Sequence, residues 1–127
     1  MQKAPNRPNN LISQTFNDGV VTVYAVQDTA AAGYKPTETL HKKGALRFAE
    51  RRLGIERYYS GRQNQIEISR VIRVQKNEDV NSQDVAIIKG VQYRIHLVQH
   101  VFDIYPPCMD LSLSLIQQQY DIEAEGQ

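Results

Sequence analysis

The chain predicts a mainly β fold: a small barrel or sandwich of about six antiparallel strands with one short helix and a long loop. Three observations carry this. Apolar and polar residues alternate with period two through residues 91–97 and 111–115, the spacing of a strand with one buried face. Asp18-Gly19 and Lys89-Gly90 supply tight-turn chemistry between such runs. Only one short stretch shows the i, i+3, i+4 spacing of a helix face, Ile55, Tyr58 and Tyr59. A sheet of this size curls on itself because closure removes sticky strand edges.

The elements follow in order. Residues 1–10 are polar, rich in Asn and Pro, and expected to be flexible. Residues 11–16 form a first strand, joined through Asn17-Asp18-Gly19 as a hairpin to residues 20–26, which are β-branched and apolar on both faces. Residues 27–45 carry no apolar stripe, are interrupted by Gly33 and Pro36, and read as a long loop, either a functional one or a disordered insertion. Residues 46–53 fit strand or helix, and a two-turn helix follows Gly54. Residues 66–74 are a strand with Ile66, Ile68, Ile72 and Val74 on one face and Arg70 the exception there; Glu67, Ser69 and Arg73 face the other way. After a polar connector come strands at 85–88 and 91–102, with Val91, Tyr93, Ile95 and Leu97 inward and Gln92, Arg94, His96 and His100 outward. Pro106-Pro107 forces a rigid connection to the last strand, where Leu111, Leu113 and Leu115 alternate with Ser112 and Ser114. The expected order is a meander. One domain over residues 11–117 accounts for these elements, and residues 118–127 form an acidic tail.

Composition narrows the function. The lone Cys108 permits no internal disulfide and suits a reducing cytoplasm. No apolar run reaches the roughly 18 residues of a membrane span, and the start has no signal-peptide core. Net charge is +1, but Lys42, Lys43, Arg47, Arg51, Arg52, Arg57 and Arg62 crowd one stretch against only Glu50 and Glu56. Such polarity favours head-to-tail contact between copies, or contact with a polyanion.

No catalytic constellation stands out: no Ser-His-Asp set, no phosphate-cradling Gly loop, no Cys-His pair. His96 and His100 lie four apart on a strand, their backbones roughly 13 Å apart, too far to share one metal ion. Cys108 reads as a packed thiol. The expectation is a protein that is no enzyme and needs no metal or cofactor. The basic stretch is open to three readings: a solvated face with local ion pairs, inter-subunit ion pairing, or phosphate contact with Tyr58 and Tyr59 stacking on bases.

The order NDGVVTVYAV, a long loop, LRFAERRLGIERYYSGRQ, ISRVIRV, then VAIIKGVQYRIHLVQHVFDIYPPCMDLSLSL resembles the head-closure proteins, also called head–tail adaptor or stopper proteins, of long-tailed bacteriophages. The resemblance runs over roughly residues 15–115, and its most telling pieces are the strand ending in VIRV and the I-x-x-G-x-x-Y-x-I ladder from Ile87 to Ile95. It implies a small β-barrel with a short helix that assembles as a ring beneath the portal and connector, plugs the DNA channel and presents a tail-docking surface. Its partners would be the portal-side adaptor, tail proteins and double-stranded DNA in the channel, with the isolated subunit a monomer where the connector is needed as template. Its place would be the host bacterial cytoplasm during assembly and then the head–tail interface of the virion, with no membrane. The long loop would line the channel with Lys35, Lys42 and Lys43, and Arg47, Arg51, Arg52 and Arg57 are candidates for the subunit interface. A tail-terminator ring, and a single-strand nucleic-acid-binding barrel of OB type, are the alternatives.

Overall fold

Among the described residues nine strands succeed one another: β1 (Ile12–Ser13), β2 (Gly19–Asp28), β3 (Glu38–Arg51), β4 (Arg70–Gln75), β5 (Val85–Ile88), β6 (Val91–Val101), β7 (Ile104–Tyr105), β8 (Cys108–Leu115) and β9 (Asp121–Ile122). This computed structural model describes residues 12–28, 33, 38–52 and 67–122, and none of them is helical. The short helix expected after Gly54 and the flexible start lie outside the described residues.

The main sheet runs β2-β5-β6-β8-β4-β3-β9, and β2 also pairs with β3. Six strands therefore close into a barrel-like ring through antiparallel ladders, while β9 adds to β3 in parallel. The expected meander holds for β2-β3-β4 and for β5-β6, and fails at the joins, where β2 pairs β5 and β4 pairs β8. β4 lies between β3 and β8 and pairs along both edges, with Phe48–Arg51 on one side and Cys108–Leu113 on the other.

Alternation sorts the residues into an inner and an outer face. Val21, Val23, Phe48, Ile72, Val74, Ala86, Ile88, Tyr93, Ile95, Met109, Leu111 and Leu113 point inward and form the main core. Val80, from the connector between β4 and β5, plugs into the same core. The outer face is not uniformly wet. Tyr24, Leu40 and Val85 form a second apolar cluster there, sealed by Val26, Ile87, Ile116 and Tyr120. Outer Arg73 and Asp110 are also buried, at 5% and 4% exposure. They make a two-point ion pair at 2.7 and 3.0 Å, and Arg73 donates a further bond to Gln14 Oε1. Residues 12–14 thus strap this side of the ring, with β1 pairing β7 in parallel.

Several expectations are corrected. Asp18-Gly19 makes no hairpin between residues 11–16 and β2, since β1 pairs β7 instead. Asp18 N donates to Phe48 O and its carboxylate accepts from Glu50 N, so Asp18 continues the β2–β3 ladder. Gly19 has a different role: a Cβ there would lie 2.9 Å from the Phe48 ring. The long loop of residues 27–45 is strand from residue 38 onward, with Thr22 to Asp28 laddered to Ala45 to Glu38 across a bulge at Lys43. Residues 46–51 are strand as well. β2 is not apolar-buried on both faces along its length, for Val20 is 54% exposed.

In β6 a second irregularity, between Ile95 and Leu97, swaps the faces. Val98 then packs on the core while Val91 and Leu97 are exposed. Gln92, expected on the outer face against water or a neighbour, is there and buried. Lys89-Gly90 is the predicted tight turn, with φ of 50° and 80°.

Candidate assembly surface

The β2–β3 pair is the most extended feature of the ring. β5 accompanies β2 only over Thr22 to Tyr24, and β4 accompanies β3 only over Phe48 to Arg51. Beyond these, Ala25 to Asp28 pair with His41 to Glu38 as a two-stranded ribbon, carrying the chain about 13 Å further. β9 steadies one edge of this ribbon at Thr39 and Leu40. The bulge that lets it leave the ring is the site of Lys43. Its ammonium donates to Asp84 Oδ2 at 2.8 Å and to the carbonyl of Asp79 at 2.7 Å, tying the ribbon's base to the β4–β5 connector. Asp84 also accepts from Asn81 N, so the connector is organised around this ion pair.

Of the three lysines assigned to the channel loop, Lys42 is exposed on β3 and Lys43 is held by Asp84. Lys35 lies outside the described residues, as does Arg57. The remaining interface candidates separate by burial. Arg47 is exposed and donates from Nε to Phe16 O at 3.3 Å. Arg52 is exposed just past the end of β3. Arg51 is half-buried, and its Nε is buried with no hydrogen-bond partner among the described residues.

Sequence reasoning passed over Arg70 as an exception on the apolar face, and its environment explains it. Its guanidinium lies 5.6 Å from the centroids of both Phe48 and Tyr93 and pairs with Glu50. The hydrogen bond to Glu50 holds its pKa well above the ordinary arginine value against the opposing effect of burial. Arg70 thereby caps one end of the ring, where a cleft of about 300 Å³ opens between Gly19, Phe48, Lys89 and Tyr93.

The histidines are not brought together by the structure. His96 sits at the β6 irregularity, half-buried, and burial followed by the nearby Arg94 lowers its pKa. His100 lies beyond it, exposed, its ring 6.2 Å from that of Phe102. Among the described residues no three His, Cys, Asp or Glu side chains gather as a metal group. Cys108 is buried, its thiol donating to Pro106 O, and burial raises its pKa.

A second surface was not anticipated. After β8 the chain turns back across the outer face, and Gln92 grips Tyr120 by both backbone groups: Nε2 donates to Tyr120 O at 3.0 Å and Tyr120 N donates to Oε1 at 2.9 Å. Arg94 donates to the Tyr120 hydroxyl and stacks on its ring at 5.4 Å. Its only sequence signal was polar Gln92 and Arg94 on the outward face of a strand. No described helix is long and apolar enough to cross a membrane. No protein-family model matches this sequence, and no curated protein matches it.

Proposed function

We propose that this chain is a structural subunit of the head–tail connector of a long-tailed bacteriophage or prophage. Copies assemble as a ring that closes the DNA exit channel after packaging and offers the tail its docking surface. The observation that carries the reading is the β2–β3 ribbon, which runs past its β5 and β4 partners at the edge of a closed ring of strands and is anchored to the ring through Leu40. A channel plug needs such an arm on a rigid base. The resemblance assigns the channel-lining role to this same segment, and the ribbon bears Lys42 and Lys43 at its base. Lys42 is exposed there, and Lys43 is committed to Asp84.

The test is deletion of the gene in the phage or prophage that encodes it. Packaged heads should then leak DNA and fail to join tails. Mutant heads that retain DNA and accept tails would reject the proposal. Finding the protein on purified tails rather than on filled heads would replace it with a tail-terminator role.

A further inference from the structure

Residues 116–122 form a strap that is gripped at its two ends and free in the middle. At one end Ile116 N donates to Gln92 O, and Ile116 packs on the outer apolar cluster. At the other, Gln92 and Arg94 hold Tyr120, and Asp121 and Ile122 pair with Thr39 and Leu40. Between them Gln117, Gln118 and Gln119 are exposed and arch over a cleft of about 640 Å³, floored by Arg94, His96 and Ser114.

The exposed run Gln117 to Gln119 is the place where the far end of the strap can swing away without unzipping the ring. The groove it lies in is built to receive an extended chain. A buried amide, Gln92, reads one residue's N–H and C=O together, a guanidinium reads a phenol, and Tyr24, Leu40 and Val85 form an apolar bed. Ile116 continues the β6–β8 ladder of its own chain, but the contacts of Tyr120 to Ile122 do not require the same molecule.

We propose that the strap is an exchangeable arm by which one copy of this chain grips the next, Tyr120 to Ile122 of one copy filling the Gln92–Arg94 groove of its neighbour while Ile116 stays with its own β8. Exchange of an identical element needs no new surface, and each arm given to the next copy is a heterologous contact of the kind that builds rings. The proposal deepens the ring reading and rests on it for the identity of the neighbour.

Two measurements on the purified full-length protein test it. A fluorescent peptide with the sequence of residues 115–122, LIQQQYDI, is titrated by anisotropy against the Tyr120→Ala chain, whose own strap has lost its anchor. Saturable binding is expected, at least about tenfold tighter than to the unaltered chain and lost by at least about tenfold on adding Arg94→Ala. The milder Tyr120→Phe, which removes only the hydroxyl, should move in the same direction by less. In the second measurement, Tyr120→Ala chains are mixed with Gln92→Ala/Arg94→Ala chains, so that an intact groove meets an intact arm only between molecules. Native mass spectrometry should find the mixed dimer and no dimer of either variant alone. A peptide that binds all forms alike or none of them, or a mixture holding only monomers, overturns the exchange. Those outcomes leave DNA retention by deletion-mutant heads to decide the ring reading separately.

Discussion

Arg73 and Asp110 hold a charge pair on the outer face where a barrel of this size ordinarily meets water. Replacing one partner strands the other in a buried site. Arg73→Ala should therefore lower the unfolding free energy by about 3 kcal/mol in urea titration, while the double change Arg73→Met/Asp110→Leu, which removes both charges, should cost less. Gly19 is constrained by contact: Gly19→Ala drives a methyl group into the Phe48 ring, and a loss of about 1–3 kcal/mol in the same assay is expected. His96 gives a pH dependence. Its folded pKa lies below the ordinary value of about 6.5, so the unfolded chain binds the proton more readily. The contribution of His96 is complete above that ordinary value and is lost as pH falls through it towards the folded pKa. His96→Gln should flatten the stability profile in that window, measured as midpoint against pH.

The strands differ in how well the sequence reveals them. β5, its Lys89-Gly90 turn and the start of β6 were legible because two β-rich apolar runs flank a turn whose residues accept positive φ. Gly90→Ala should cost about 1 kcal/mol by thermal or chemical unfolding, since alanine must take φ near 80° there. The outer half of β3 was not legible. Its period is broken by the bulge at Lys43, and Thr39, His41, Lys42 and Gly44 present no apolar stripe, because this part of the ribbon has core on neither side except at Leu40. The face swap in β6 was hidden for a related reason: one extra residue at His96 moves Val98 inward, and single-residue shifts leave no compositional mark. Gln92 and Arg94 were placed on the outer face facing water or a neighbour, and period two cannot foresee that residues 116–122 are what covers them. The candidate cations were visible as a run, but only the structure divides exposed Arg47 and Arg52 from Lys43, already committed to Asp84.

At the scale of the whole molecule, that division selects the assembly experiment. Arg47→Glu/Arg52→Glu reverses two exposed charges and should leave the unfolding midpoint nearly unchanged, while Arg51→Glu would place a carboxylate in a half-buried site and confuse folding with association. The double variant is expected on fewer filled heads than the unaltered protein when purified particles are compared by quantitative mass spectrometry. Equal occupancy would remove Arg47 and Arg52 from the interface. The Lys43–Asp84 link has a mechanical consequence. A pull on the ribbon is resisted first by the β2–β3 ladder, but part of the load leaves β3 sideways at the bulge, through the lysine and into the connector whose Val80 plugs the core. Displacement of the arm is thus felt inside the ring as a tug on its own stopper, and cutting that tether with Lys43→Met would let arm and interior move independently.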